Sequence, residues 1–113
     1  MSLALNVFKT ITNIVPTGAV GIYTAPVGYT GVVLLAQAAN VGASTKTISF
    51  SHERTVAGVP VTTEILKDFP IEASDTANLL SGKLVLEAGD VMKVSANTST
   101  DIKFLVSIRN LFI

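Results

Sequence analysis

Polar and apolar residues alternate so regularly near the end of this chain that one element can be assigned from them directly. Ile102, Phe104, Val106 and Ile108 fall between Asp101, Lys103, Ser107 and Arg109, and only Leu105 breaks the pattern. A period of two sends successive side chains to opposite faces, so 101–110 is expected to be a strand with one buried and one wet face, as in an antiparallel sheet. The same period recurs upstream. In 46–53, Ile48, Phe50 and His52 oppose Thr47, Ser49, Ser51 and Glu53. In 61–71, Val61, Thr63, Ile65, Lys67, Phe69 and Ile71 oppose Thr62, Glu64, Leu66 and Asp68. Shorter runs at 19–24, 83–87 and 91–96 also read as strands. The run 30–41 differs, because Val32, Val33, Leu34, Leu35, Ala36, Ala38 and Ala39 make it apolar on both faces. One face meets the core and the other a second layer or a neighbouring chain. At the N-terminus Leu3, Leu5 and Val7 alternate with Ala4 and Asn6, and Phe8, Thr10, Thr12 and Ile14 continue in extended style to Pro16, as an arm or an edge strand would.

Turn residues separate these runs. Thr17-Gly18, Ala25-Pro26-Val27-Gly28, 42–45, Ala88-Gly89-Asp90 and 97–100 carry the residues that tight turns use. The stretch 54–60, with Gly58, reads as a surface loop, and 72–78 is polar and turn-forming. Ser74-Asp75 is placed to cap one helical turn before Leu79-Leu80, which Ser81-Gly82 would stop. About eight short strands without a sustained helix predict an all-β antiparallel β-sandwich, with a jelly roll preferred. A length of 113 residues suits one domain, 1–113, in which 1–15 is available as an extended arm.

Composition narrows the function. Eight basic and eight acidic residues cancel, and only 14% of the chain is charged, so neither nucleic acid nor an anionic membrane surface is an expected partner. Cysteine is absent, which removes disulfides, thiolate metal sites and cysteine nucleophiles together. Mean hydropathy is nevertheless +0.57 and 49% of residues are hydrophobic. From Thr10 to Thr45 no side chain is charged, yet Pro16, Pro26, Gly18, Gly21, Gly28, Gly31 and Gly42 interrupt the stretch, whereas a spanning helix needs about 20 unbroken apolar residues. No signal peptide is read at the N-terminus. A neutral, apolar, charge-poor domain is then best explained if other subunits cover much of its surface.

The chain offers little chemistry. His52 is the single histidine; a general base or metal ligand is one reading, and a strand-end residue packed against the core edge or a neighbour is the favoured one. No second histidine or cysteine exists to complete a zinc or copper site. Glu64 with Asp68 and Glu87 with Asp90 are the carboxylate pairs that glycosidase chemistry would require, but the only aromatic platforms beyond phenylalanine are Tyr23 and Tyr29. Asp75 or Asp90 could join turn carbonyls around calcium, without the spaced acidic loop of a dedicated site. Gly18, Gly21 and Gly28 do not form a phosphate-cradling motif, and no serine sits in a nucleophile elbow. No catalytic residue, metal or cofactor is expected.

Two segments carry a family resemblance. Ile22-Tyr23-Thr24-Ala25-Pro26-Val27-Gly28-Tyr29-Thr30, leading into the apolar strand that ends at Asn40-Val41, resembles a "YTAP-x-G-x-T" start found among small virion proteins of tailed bacteriophages. Leu79-Leu80-Ser81-Gly82-Lys83-Leu84-Val85-Leu86-Glu87-Ala88-Gly89-Asp90 is similar to their "LLGGKLVLEAGD" segment, with Ser81 where a second glycine is usual. The resemblance spans 22–90, excludes the N-terminal segment, and rests on turn and strand residues. It implies a non-enzymatic β-sandwich component of a virion, located in the virion. Such proteins serve as capsid decoration or cement proteins, often as trimers, or as tail, neck or fibre-attachment parts.

The leading expectation is therefore a decoration protein that stabilises the head shell as a homo-oligomer, a trimer first, with the major capsid protein or other virion proteins as partners. A carbohydrate-binding module around Tyr23 or Tyr29 is the alternative from another class. The apolar ends, Leu3, Leu5, Val7 and Phe8 with Leu111, Phe112 and Ile113, are the candidate subunit-interface residues. Burying each large side chain among them is worth about 1.5–3 kcal/mol, whether in the chain's own sandwich or on a neighbour.

Overall fold

The computed structural model describes residues 6–112, with side chains for 7–111. Among the described residues nine strands follow one another: β1 (Asn6–Ile14), β2 (Val20–Thr24), β3 (Tyr29–Asn40), β4 (Lys46–Val56), β5 (Val59–Ile71), β6 (Thr76–Asn78), β7 (Leu84–Leu86), β8 (Val91–Ala96) and β9 (Ile102–Phe112). Sheet one runs β1-β9-β3-β6, with β7 also on β3, and sheet two runs β2-β8-β4-β5. All pairings are antiparallel.

The pairings nest. β4 pairs with β5, β3 with β6 and β7, β2 with β8, and β1 with β9. The chain is thus one long hairpin folded at the β4–β5 turn and rolled so that alternate pairs fall in alternate sheets, which is the jelly-roll arrangement. β6 and β7 pair with successive parts of β3, at Gln37–Ala39 and Gly31–Val33, and act as one interrupted strand. Eight strand positions are therefore filled, the number expected from the sequence.

The core lies where the sheets face each other. Ile102, Phe104, Val106 and Ile108 of β9 are buried against Ile48 and Phe50 of β4 and Met92 and Val94 of β8. Phe50 and Phe104 meet across the gap with ring centroids 5.8 Å apart and planes inclined at 42°, one of the offset geometries aromatic pairs prefer. Gly31 allows Tyr23 and Asn110 close approach, since a Cβ there would lie 3.3 Å from the Tyr23 ring. The Tyr23 hydroxyl donates to Asn110 Oδ1 inside the sandwich.

Three local expectations are corrected. The stretch 54–60 is not a loop: β4 and β5 continue to Val56 and Val59, joined by Ala57 and Gly58 at φ 52° and 79°. Two positive φ values in succession fit the tight hairpin turn whose twist matches its strands. Pro60 is accommodated because β5 is an edge strand. The regular alternation expected over 61–71 is interrupted by register shifts opposite Ile48, Phe50 and Ser51. Ile65 and Leu66 consequently both pack on the core, and Asp68 takes φ 50° with its N–H on Ser49 Oγ at 3.0 Å. The helical turn after Ser74-Asp75 is absent. Ser74 has φ 61°, backbone bonds join Asn40 to Ser74 and Asp75, and 76–78 pairs with β3 instead. Tertiary pairing outweighs the local cap.

Candidate functional site

The two sheets bury similar inner faces and expose different outer ones. On sheet one, Phe8, Thr10, Thr12 and Ile14 of β1 stand opposite Arg109, Ser107, Leu105 and Lys103 of β9, which in turn oppose Val32, Leu35, Gln37 and Ala39 of β3. Val85 of β7 opposes Val32. A β-bulge between Val33 and Leu35 leaves both Leu34 and Leu35 exposed, at 38% and 37%. Phe8, Ile14 and Val85 are more open still, at 68%, 57% and 53%. The Arg109 guanidinium carbon lies 5.7 Å from the Phe8 ring centre, a cation–π contact on the apolar surface. A shallow groove of about 760 Å³ crosses this face past Thr12, Ile14, Gln37, Ala39, Lys103 and Leu105.

Sheet two presents Thr47, Ser49, Ser51, Glu53 and Thr55 from β4, beside Lys93 and Ser95 of β8 and Thr62 and Glu64 of β5. Its charges are matched, with Lys93 Nζ 3.3 Å from Glu53 Oε1. None of the exposed large apolar side chains lies outward on its β4 and β8 strands. Water is a good solvent for this face and a poor one for the other.

A third feature is an arm. β8 pairs with β4 only as far as Glu53, and beyond it the hairpin continues through Arg54 to Val56 and back from Val59. Arg54 opposes Val61 and Val56 opposes Val59, so these residues share the side of the ribbon that faces the core lower down. Val56, Val59 and Val61 are 54%, 60% and 47% exposed there.

The base of the arm is held by one carboxylate. Asp90 is buried, and His52 Nε2 and Arg54 Nε donate to it at 2.9 Å, Arg54 Nη2 at 2.6 Å and the Glu87 amide at 3.0 Å. Arg54 also reaches Glu87 Oε2 at 2.8 Å. Three of these bonds reach Oδ2 and one reaches Oδ1. The Arg54 hydrogen bond, followed by those from His52 and Glu87, holds the Asp90 carboxyl well below the usual aspartate range against the opposing effect of burial. The same contact raises Arg54. Both carboxylates of the Glu87–Asp90 pair contact the Arg54 guanidinium. His52 sits half-buried at the edge of the core with Asp90 as its partner.

The remaining sequence candidates are dispersed. Glu64 faces Lys67 at 3.8 Å, and Asp68 lies in the bulge. Asp75 Oδ1 accepts from the Thr76 amide. Tyr23 is buried, and burial pushes its hydroxyl pKa up, partly offset by the Asn110 hydrogen bond, so it presents no platform for a sugar. Tyr29 is half-buried. Among the described residues no group of three or more His, Asp or Glu is placed to hold a metal ion. Of the expected interface residues, Val7 and Leu111 are half-buried and Phe8 is exposed. Leu3, Leu5, Ile113 and the Phe112 side chain lie outside the described residues. Sequence reasoning missed Ile14 and Val85 as surface residues and the valines of the arm; the Leu84-Val85-Leu86 alternation already implied an outward Val85.

The two segments that carry the family resemblance meet here. Gly89 N donates to Ala25 O at 2.9 Å and Ala25 N to Asp90 O at 3.0 Å, so both build the corner beneath the arm.

No family model matches this chain, and no curated protein does. Solved structures match by shape alone. A chain of the T13 viral particle of IBDV, infectious bursal disease virus, superposes with a TM-score of 0.58 at 6% identity over 96% of this chain. This protein spans 32% of that chain, about a third of its length. A chain of the acid-stable capsid of Helicobacter pylori bacteriophage KHP30 gives 0.57 at 10% identity, covering 96% of this chain and 89% of that one. What this protein shares with both chains is the fold. A subunit of the disulfide-linked pili that form Bacillus endospore appendages gives 0.52 at 14% identity, covering 96% and 88%. This chain has no cysteine with which to form such links.

Proposed function

We propose that this protein is a non-enzymatic structural subunit of a bacteriophage virion, a capsid decoration or cement protein that stabilises the head shell as a homo-oligomer. The observation that carries the reading is the likeness to the KHP30 capsid chain along nearly the full length of both. The apolar outer face of sheet one supports it, because a shell or a sister subunit supplies the cover that such a face requires. A trimer is the first state to look for, and the major capsid protein the first partner. The test is immunogold labelling of particles from cells that carry the coding sequence, with antibody raised against the purified chain. Label spread over the heads supports decoration, and unlabelled particles overturn the virion reading.

The likeness to a pilus subunit favours one second reading, a tail, neck or fibre-attachment component built by head-to-tail contacts. Label confined to the tail or its vertex selects it.

A further inference from the structure

The edges of the two sheets are unequally guarded. β5 carries Pro60 and Pro70 together with register shifts and Asp68 at φ 50°, β2 spans five residues with a bulge between Gly21 and Tyr23, and β6 and β7 span three residues each. Prolines, bulges and short length are what keep an edge from recruiting another strand. β1 has none of them: it runs nine residues in unbroken register with β9, and no described strand lies on its other side. Val15 N donates to Ile102 O at 2.9 Å, so the alternation of an antiparallel ladder turns the odd-numbered positions of β1 toward β9. Phe8, Thr10, Thr12 and Ile14 therefore aim their N–H and C=O groups at the open edge.

The order of residues along β1 indicates what this edge accepts. From Val7 to Val15 the chain reads Val-Phe-Lys-Thr-Ile-Thr-Asn-Ile-Val, which has the same character in both directions about Ile11. An antiparallel copy centred there sets Phe8 against Ile14, Thr10 against Thr12, Ile11 against Ile11 and Lys9 against Asn13. Aromatic with β-branched and Thr with Thr are favourable cross-strand pairs, and the two lysines stay apart. Even positions must meet even ones, so the nearest other registers are centred on Thr10 or Thr12, and these set Val7 or Ile11 against Asn13. Pairing with β9 gives no reason for the order, since Lys9 and Asn13 stand opposite its core residues Ile108 and Phe104. Asn13 Oδ1 is also buried without a hydrogen-bond partner in the single chain, and a lysine placed opposite brings a donor to that amide.

We infer that two copies of this chain join through β1, antiparallel about a two-fold axis at Ile11, so that sheet one of one copy continues across the seam into sheet one of the other. The contact is isologous and complete with two copies. It brings Phe8 and Ile14, 68% and 57% exposed in one chain, beside their counterparts and leaves the rest of that outer face free for further cover. A trimer would use a different surface. The inference rests on self-association in the function proposed above and is independent of where in a particle the protein resides.

Disulfide trapping tests the register cleanly because the natural chain has no cysteine. Thr10→Cys and Thr12→Cys, both at exposed positions, are made separately, confirmed as folded by circular dichroism, and oxidised alone and mixed. Directly opposed residues lie about 5.5 Å apart between Cα atoms, within disulfide reach, and diagonal ones about 7–8 Å. Cross-linked dimer is expected in the mixture, and about tenfold less of it in either variant alone. Absence of linking in the mixture, or self-linking of either variant as efficient as that of the mixture, overturns the inference. Thr10→Pro gives a second test, because it removes an N–H that faces the open edge rather than β9. The fold should be retained while the sedimenting mass falls by about half. A folded Thr10→Pro chain of unchanged mass would contradict the contact. Immunogold results do not bear on these outcomes, so the two proposals fail separately.

Discussion

The outward surfaces of the two sheets differ although their inward surfaces are built alike. Ser, Thr, Glu and Lys cover sheet two, whereas Phe8, Ile14, Leu34, Leu35 and Val85 stand on sheet one. One sandwich needs a single apolar side on each of its sheets, and sheet one has two. A second apolar side adds nothing to the stability of an isolated molecule and favours association through the water it releases. The contrast makes the outer face of sheet one the surface to test.

Neighbouring residues of β9 give the largest contrast. Phe104 points into the core beside Phe50, so Phe104→Ala should cost about 3–5 kcal/mol in thermal or chemical unfolding. Leu105 points outward, and Leu105→Ala should cost less than about 1 kcal/mol of subunit stability while weakening association. Equal losses of stability from both would erase the distinction between the faces.

Next comes the clamp under the arm. Asp90→Ala removes a buried acceptor from two side chains and an amide, an expected loss of about 2–3 kcal/mol measured by denaturant titration. A carboxyl held below its ordinary value contributes stability above the unfolded-state pKa of about 3.9 and loses it as pH falls through and below that value. The melting temperature should therefore drop below about pH 4, and Asp90→Asn should flatten that drop. Tyr23 has the opposite sign: its raised pKa means stability present below about pH 10 and lost above it, a change that Tyr23→Phe should abolish.

Matched charge insertions compare the faces directly. Val85→Asp should weaken self-association by about tenfold or more, and Ser49→Asp on sheet two by less than about twofold, read by sedimentation at several concentrations. The smallest effect is expected at the arm's turn. Ala57→Asn relieves a residue at φ 52° and creates the Asn-Gly pair such turns prefer, which should raise stability by about 0.5–1 kcal/mol.

Much of the fold was legible because an antiparallel strand with one wet face writes its period into the chain, as 101–110 and 46–53 do. The outer face was legible in part. The two-sided apolar run 30–41 implied a covered surface, and Leu105, the one break in the final alternation, is the residue that points outward onto that surface. The arm was not legible, since Ala57 is a poor signal for positive φ and Pro60 reads as a breaker until the strand is known to lie at an edge. The bulges at Leu34 and in β5 depend on pairing and leave no local mark. The clamp joins Asp90 to residues 36 and 38 positions away, a proximity that only the rolled hairpin creates.

The central claim is that the outer face of sheet one is covered by protein in the working state. Amide and side-chain accessibility aside, the decisive measurement is analytical ultracentrifugation of the natural chain beside a Leu35→Asp, Val85→Asp variant. A concentration-dependent or stable oligomer for the natural chain, with a folded monomer for the variant, is the predicted result. A natural chain that stays monomeric at high concentration, or a variant that assembles as well as the natural chain, would contradict it.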